Sequence, residues 1–308
     1  MRCFVTRELP GPALGRLREL HDVEVWSERL PPSREALADG LKDADGLLSL
    51  LSDRIDADLI ELAPRLRAIS NYAVGFDNID LDAATARGIP VGNTPDVLTD
   101  ATADLAFALL LAAARRLPDA AADVTAGEWL TWEPARHLGA AVHGATLGII
   151  GMGRIGRAVA RRAGGFGMDV IHAGRGEDPA PLLGSADFVS LHCPLTPATH
   201  HLIDAAALKR MRPTAILVNT ARGPIVDHLA LRRALIDGEI AGAALDVTEP
   251  EPLPADDPLL SAPNLIVTPH IGSATRAARE RMSDLAVDNL LAGLEGRPMP
   301  HQANTVLA

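Results

Sequence analysis

The chain has 308 residues, a length typical of two domains, and 47% of them are hydrophobic, enough for sizeable cores. Its net charge of −11, without a long run of lysine and arginine, argues against a nucleic acid or an anionic membrane as partner. The longest helical apolar run, 105–114, is about half a membrane span. Two cysteines and an N-terminus without the apolar segment of a signal peptide predict a cytoplasmic protein.

The first 98 residues alternate predicted strands with predicted helices, which indicates a parallel sheet covered by helices on both faces. Strands are predicted at 2–6, 23–26, 46–51 and 66–70, with a short fifth strand ending at 94–95, and helices at 12–20, 34–41 and 57–62. The loop 71–80 follows the fourth strand at the edge where such sheets bind ligands. Gly75 suggests a turn that aims backbone N–H groups at an anion, and a plain loop before a capped helix fits equally well.

A long helix over 101–115, capped by Thr99 and Asp100, is expected to link this first domain to a second one. The segment 118–143 is less regular and contains Trp129 and Trp132, two of only three tryptophans. Tryptophan side chains are usually well buried, so the core is favoured over a subunit interface for both.

The stretch 144–156 combines a short apolar strand, 146–150, with glycines at 151, 153 and 156 and a following helix from Arg157. This G-x-G-x-x-G spacing is typical of a dinucleotide site. The first glycine allows the turn, the second lets backbone approach a pyrophosphate, and the third lets helix and strand pack closely. The positive end of the helix dipole and its free N–H groups favour the phosphates.

Further strands are predicted at 169–172, 188–192, 215–219, 242–246 and 265–268, which together describe a Rossmann domain. A final helix, 276–294, is expected to return to the first domain. The prediction is therefore an α/β protein with two doubly wound parallel-sheet domains and an interdomain cleft. A flavodoxin-like substrate-binding domain comprises 1–98 plus 283–308, and the Rossmann cofactor domain comprises 99–282.

The end of the second Rossmann strand bears on the choice of cofactor. NAD-binding domains usually place an acid there to hold the ribose 2′-hydroxyl. Here Gly174 occupies that place and Arg175 follows, so a 2′-phosphate gains a cation and meets no carboxylate. The sequence therefore favours NADP(H) over NAD(H), although Glu177 and Asp178 lie close by and Arg175 also fits an exposed surface residue.

Three polar segments, 219–224, 246–252 and 268–273, follow strands of the second domain and supply an arginine, carboxylates and a histidine. Arginine binds a substrate carboxylate in a bidentate fork and polarises a neighbouring ketone. Histidine donates a proton to the carbonyl oxygen, and an adjacent carboxylate orients it and favours its protonated form. The set predicts a reductase of small 2-keto acids.

These segments resemble the D-isomer-specific 2-hydroxyacid dehydrogenase family along nearly the whole chain. The similar segments are 71–80, 93–106, 148–156, 192–196, 219–223, 246–252 and 268–273. Together with 51–56, the first two resemble glyoxylate/hydroxypyruvate reductases most closely, and those enzymes commonly carry an arginine-bearing NADP site. The resemblance also implies a homodimer built around the linker helix and 118–143.

The resemblance assigns roles to individual residues. Arg222 would bind the substrate carboxylate and carbonyl, His270 would be the general acid, and Glu251 rather than Glu249 would be its partner. The backbone N–H groups of Val74 and Gly75 would bind the substrate carboxylate. The predicted cofactor-binding residues are Thr102, Gly151, Met152, Gly153, Arg154, Ile155, Gly156, Gly174, Arg175, Cys193, Pro194, Thr220, Ala221, Asp246 for the nicotinamide amide, and Gly272 beside the nicotinamide.

Three further histidines lack such support. His192, His200 and His201 do not show a convincing metal-ligand spacing, so they are predicted to be structural or rim residues, and no metal is predicted. The segment 176–187 is shorter than the family usually has, which bears on the adenosine side of the cofactor site.

The predicted function is the NAD(P)H-dependent reduction of a small anionic 2-keto acid, glyoxylate or hydroxypyruvate, to the D-2-hydroxy acid. A 3-phosphoglycerate- or phosphonate-type dehydrogenase is the alternative, for which Arg54 is the only obvious extra cation near the cleft. A nucleotide-sensing binding protein, like the corepressor relatives of the family, is the remaining alternative.

Overall fold

The computed structural model describes residues 1–306, which contain eleven strands and eleven α-helices. The strands are β1 Arg2–Val5, β2 Asp22–Val25, β3 Gly46–Ser49, β4 Ala68–Asn71, β5 Val91–Gly92, β6 Thr146–Ile150, β7 Asp169–Ala173, β8 Phe188–Leu191, β9 Ile216–Asn219, β10 Gly242–Leu245 and β11 Leu265–Val267. The helices are α1 Ala13–Leu20, α2 Arg34–Leu41, α3 Ala57–Glu61, α4 Leu81–Ala86, α5 Thr99–Ala114, α6 Leu117–Thr125, α7 Arg154–Gly165, α8 Ala180–Ser185, α9 Ala205–Arg210, α10 His228–Asp237 and α11 Arg276–Leu294. These elements form two compact units, residues 1–98 with the chain from 274 onward, and residues 99–273.

The first unit contains a five-stranded parallel sheet in the order β2-β1-β3-β4-β5, the arrangement of flavodoxin-like folds. Every residue of β3 and β4 is buried, as expected for central parallel strands covered on both faces. Helix α11 packs on these two strands, and glycines permit the close approach: a Cβ at Gly293 would lie 2.8 Å from that of Ala68. Because α11 begins at Arg276, the second unit ends nine residues earlier than the sequence-based boundary at 282.

The second unit contains a six-stranded parallel sheet in the order β11-β10-β9-β8-β6-β7. Helices α5 and α7 cover one face through residues such as Phe107 and Val159, while α8, α9 and α10 cover the other through Leu182, Leu208 and Leu231. The prediction of two doubly wound parallel-sheet α/β domains is therefore confirmed. The strand order reverses between β6 and β8, and ligands bind at the carboxyl ends of strands beside such a switch point.

The segment after α5 differs from the sequence prediction. Helix α6 was not predicted, and none of its residues is buried in the single chain. Trp129 and Trp132 lie in the following loop with 72% and 81% of their surface exposed, so the expectation of core burial is wrong. The loop around them contains no strand or helix that would bring the indole rings onto either core.

A smaller difference concerns the end of β5. β5 ends at Gly92, before the end at 94–95 that the sequence predicts, because the N–H groups of Asn93 and Thr94 donate to the loop carbonyls of His301 and Ala73.

Over residues 1–306, no helix combines the length and the apolar character that crossing a bilayer requires.

Candidate active site

The glycine turn after β6 shows three different steric demands. Gly151 adopts φ +98°, and a Cβ there would lie 2.4 Å from the backbone nitrogen of Cys193. A Cβ at Gly156 would lie 2.3 Å from the carbonyl oxygen of Gly151, so only glycine allows this helix–turn contact. A Cβ at Gly153 would meet no atom within 4 Å, which leaves open space above the turn. In a dinucleotide-binding turn the first glycine allows the tight turn, the second leaves room for the pyrophosphate, and the third allows helix and strand to pack closely, which are the properties of Gly151, Gly153 and Gly156.

Helix α7 begins at Arg154 directly after this turn. Its N-cap, Gly153, supplies no side-chain cap, and the first turn contains no acidic residue. The free N–H groups and the positive dipole end therefore suit a pyrophosphate. Met152 and Ile155 pack against the core below, and Arg157 donates a 2.9 Å hydrogen bond to the Met152 carbonyl, so the turn is held from both sides.

The end of β7 carries a carboxylate that is not in the expected sequence position. The backbone N–H of Gly174 donates a 2.6 Å hydrogen bond to Glu177 Oε2, because the chain turns back after Gly174. Arg175 is exposed and makes no ion pair with any residue from 1 to 306. Within this part of the chain, the strand end thus presents an unpaired cation beside a carboxylate that already has a backbone partner.

The loop after β9 carries Thr220, Ala221 and Arg222 and is held by buried Asn219. The Asn219 amide donates to the Arg222 carbonyl over 2.8 Å, and its oxygen accepts the Ala221 N–H over 3.0 Å. The Arg222 guanidinium donates to the Ala221 carbonyl over 2.8 Å. The Thr220 hydroxyl is buried and has no partner within the described part of the chain. Asn219 is a positioning residue that the sequence reasoning did not single out, although it ends a buried strand.

Asp246, at the end of β10, ties the loop after β11 to the sheet. Its buried carboxylate accepts hydrogen bonds from the Thr268 hydroxyl (2.6 Å), the Ile271 N–H (2.8 Å) and the Gly272 N–H (2.7 Å). Burial raises the pKa of Asp246, and these hydrogen bonds oppose the rise. The Thr102 hydroxyl of α5 donates to the Gly272 carbonyl over 3.2 Å, so Thr102, Asp246 and Gly272 form one cluster.

His270 and Glu251 form the closest acid–base pair of this region. His270 Nδ1 lies 2.5 Å from Glu251 Oε1, and both side chains are partly exposed. The His270 backbone has φ +52° and donates to the Asp246 carbonyl over 2.9 Å, which fixes the ring beside the loop after β10. A carboxylate partner at Nδ1 assigns that proton to Nδ1 and leaves Nε2 for proton transfer. Glu249 instead lies 3.3 Å from His201 Nε2.

The titratable side chains at the end of β8, His192 and Cys193, carry no charge at neutral pH. His192 Nε2 lies 2.8 Å from the Ser190 hydroxyl, and burial lowers the pKa of His192 to about 4, which keeps the ring uncharged at neutral pH. Burial also raises the pKa of the Cys193 thiol to about 11. This environment is consistent with the prediction that His192 is a structural residue. Cys193 touches the glycine turn, and Pro194 is exposed.

The first unit has its own polar loop after β4. Asn71 donates to the Gly75 carbonyl over 3.0 Å, and Asn93 donates to the Val74 carbonyl over 2.8 Å. These two hydrogen bonds fix the carbonyls of Val74 and Gly75. The N–H groups of the same two residues have no acceptor among residues 1–306. Asn78 braces the same loop through Asn71 and the Leu50 and Asp53 carbonyls. The loop can therefore offer two N–H groups to an anion.

A glycine turn at the switch point of a parallel sheet, with an arginine loop and a glutamate–histidine pair on neighbouring strand ends, defines a dinucleotide-dependent oxidoreductase. The model of the family described as D-isomer specific 2-hydroxyacid dehydrogenase, NAD binding domain, matches residues 107–272. The chain belongs to this family.

Named relatives match the chain from end to end. A glyoxylate reductase of Korarchaeum cryptofilum is 50% identical over 98% of this chain and 96% of its own. The crystal structure of a protein from Thermus thermophilus superposes with a TM-score of 0.93 at 51% identity, covering 98% of this chain and 100% of the other. An NADPH-dependent glyoxylate/hydroxypyruvate reductase from Sinorhizobium meliloti, in complex with NADP and malonate, gives a TM-score of 0.85 at 34% identity, with 98% and 96% covered.

Proposed function

We propose that the protein reduces glyoxylate and hydroxypyruvate to the corresponding 2-hydroxy acids, D-glycerate in the second case. The observation that carries the proposal is the 2.5 Å contact between His270 and Glu251 at the carboxyl edge of the second sheet. Arg222 follows the neighbouring strand β9 on the same edge. Relatives about half identical to this chain are glyoxylate reductases, which supports the choice of substrate.

The chain's own residues account for the chemistry around the reacting carbon. When bound, a reduced nicotinamide dinucleotide supplies the hydride for C2 of the keto acid. Arg222 holds the substrate carboxylate and polarises the carbonyl. His270 donates the proton from Nε2 to the carbonyl oxygen, so the keto acid gains one hydride and one proton. Glu251 accepts a hydrogen bond from Nδ1 and so orients the ring throughout.

The proposed dinucleotide fits the residues present. The open space at Gly153 admits a pyrophosphate, and the buried Thr220 hydroxyl offers an unused hydrogen bond. Cys193, Pro194, Ala221 and the Asp246 cluster are the further residues proposed to line it. In the first unit, Val74 and Gly75 are proposed as N–H donors to the substrate carboxylate, because neither N–H has an acceptor over residues 1–306.

NADP(H) is the proposed cofactor in preference to NAD(H). Arg175, exposed and without an ion-pair partner among the described residues, suits a 2′-phosphate, and Gly174 adds no acid at the strand end. Glu177 acts in the opposite direction, because its carboxylate lies at the place where a ribose-binding acid usually stands. We therefore expect NADP(H) to be preferred to NAD(H), with the positive charge of Arg175 increasing this preference and the negative charge of Glu177 reducing it.

Initial rates with glyoxylate, hydroxypyruvate and pyruvate, each with NADPH and NADH, test the function and the cofactor together. Arg175→Ala is expected to raise KM for NADPH by about tenfold, the value of one charge-assisted contact, and to leave NADH unchanged. Glu177→Gln is expected to lower KM for NADPH. Arg233→Ala, at an exposed position of α10, is the matched control. Turnover of none of the three acids would refute the proposed reaction.

A homodimer is the proposed assembly, with a second copy covering the surface around α6. Leu130, Trp132 and Leu138 are 86%, 81% and 70% exposed, next to a helix with no buried residue. Monomeric proteins rarely expose so many large apolar side chains together, and aromatic residues are enriched in interface cores.

Replacing Trp129 and Trp132 together by serine is expected to halve the mass measured by light scattering, to the 32.4 kDa of one chain. Each indole buries about 150–250 Å² when covered, so the pair supplies much of the association energy. Leu20→Ser, at an exposed position of α1, is the control and is expected to keep the mass of the unmodified protein. A monomeric wild-type protein would contradict the proposal.

A cytoplasmic location is also proposed. Cys3 and Cys193 are both free, and burial raises the pKa of each thiol to about 11, which keeps both protonated and unreactive. Free thiols are typical of proteins that work in a reducing compartment.

A further inference from the structure

Three side chains outside the proposed active site converge at the surface of the second unit. His200 and His201 lie in the turn after β8, and Glu249 lies in the loop after β10. Each offers one ligand atom, and the three atoms lie within 4.8 Å of one another. Spacing along the chain does not reveal this cluster, because Glu249 is 48 residues away from His201.

The distance between the ligand atoms of His201 and Glu249 suits a shared ion, and His200 lies against His201. His201 Nε2 and Glu249 Oε2 are 3.3 Å apart, and the two imidazole centroids are 4.1 Å apart with the planes at 29°. In a tetrahedral site with bonds of about 2.0–2.1 Å, neighbouring ligand atoms lie about 3.3–3.4 Å apart. An ion bound to both atoms therefore requires little movement of either side chain.

The backbone brings both histidine rings to the same side. His201 adopts φ +50°, a conformation that is uncommon for residues other than glycine and that often marks a functional position. The turn is fixed by the His200 N–H to the Thr196 carbonyl (3.0 Å) and by the His201 N–H to the Pro224 carbonyl (2.8 Å). The Glu249 N–H reaches His228 Nδ1 over 3.4 Å. The cluster is thus preorganised by contacts that do not use the ligand atoms.

We propose that His200, His201 and Glu249 bind one divalent first-row transition-metal ion, such as Zn²⁺ or Co²⁺, with water completing the coordination. Two imidazoles and a carboxylate are ligands that such ions prefer, and the single negative charge of Glu249 offsets part of the charge of the ion. The site is exposed enough for an ion to enter from solvent. It is separate from the His270–Glu251 pair, because it uses the other glutamate of the 246–252 loop.

Titration of the full-length, untagged and chelator-treated protein with Co²⁺ tests the site directly. We expect a saturable visible absorption band with one ion per chain, which Zn²⁺ then displaces. His200→Asn, His201→Asn and Glu249→Gln are each expected to weaken binding by more than about tenfold. His301→Asn removes a histidine of the first unit whose backbone alone makes hydrogen bonds within residues 1–306, and it is expected to bind Co²⁺ like the unmodified protein.

A second measurement separates loss of the site from loss of the fold. Zn²⁺ is expected to raise the thermal midpoint of the unmodified protein and of His301→Asn but not that of the cluster variants. His200 is exposed, so His200→Asn is the variant least able to disturb packing. The proposal is overturned if the unmodified protein binds no Co²⁺ saturably, or if His200→Asn binds it unchanged. Neither readout depends on reductase activity.

Discussion

Replacing Arg222 by alanine is expected to lower kcat/KM for glyoxylate by about 10³ to 10⁴, which corresponds to about 4–5.5 kcal/mol of transition-state stabilisation. The guanidinium is proposed to make two charge-assisted hydrogen bonds with the substrate, and each contributes about 1.5–3 kcal/mol. Arg222→Lys keeps the charge but removes the planar fork, so we expect only a partial recovery. Steady-state rates over a range of glyoxylate concentrations measure both effects.

The contacts of Asn219 make this prediction specific to the Arg222 guanidinium. The Asn219 side chain bonds to the loop backbone at Ala221 and Arg222, so Arg222→Ala leaves these two contacts in place, and dinucleotide affinity is expected to stay within about twofold. Arg233→Ala on α10 serves as the arginine control. Full turnover by Arg222→Ala would exclude the proposed role of this side chain.

Replacing His270 by asparagine is expected to lower kcat by about 10² to 10⁴, the usual contribution of a positioned general acid, while the dissociation constant for the dinucleotide changes little. Asparagine removes the transferable proton but preserves a hydrogen-bonding group near Glu251. Single-turnover rates separate the chemical step from product release, and fluorescence of the reduced nicotinamide measures binding.

Glu251→Gln distinguishes orientation of the imidazole from its charge. An amide still accepts a hydrogen bond from Nδ1 but carries no negative charge, so we expect kcat to fall, though by less than in His270→Asn, and steady-state rates measure the difference. Glu249→Gln is the matched control, because that carboxylate contacts His201 instead. Equal kcat values for Glu251→Gln and the unmodified enzyme would contradict the proposed pairing.

The local elements could be read from the sequence because hydrophobic periodicity and glycine placement depend on neighbouring residues alone. The strand at 146–150 and the helix at 276–294 have the bounds that the pattern predicted. The glycine turn was equally readable: at Gly151 and Gly156 any Cβ would strike backbone, so the fold admits no other residue there. The resemblance to the dehydrogenase family rested on the same local segments.

The positions of α6 and of the two tryptophans could not be derived in this way. Trp129 and Trp132 are apolar, and intrinsic preference places such side chains inside. Whether a surface exists to receive them depends on where α6 and the following loop lie, and in the single chain both indole rings stay exposed.

The sequence by itself determined the two parallel-sheet units, the dinucleotide turn and the identity of the side chains at the strand ends, because each follows from local spacing. The family resemblance already implied that Glu251 pairs with His270, and the structure shows that contact. Only the tertiary structure decided that Glu249 lies on His201 and Glu177 at the Gly174 N–H. Loops after parallel strands have no fixed periodicity, so their contacts are set by how the whole sheet brings their ends together.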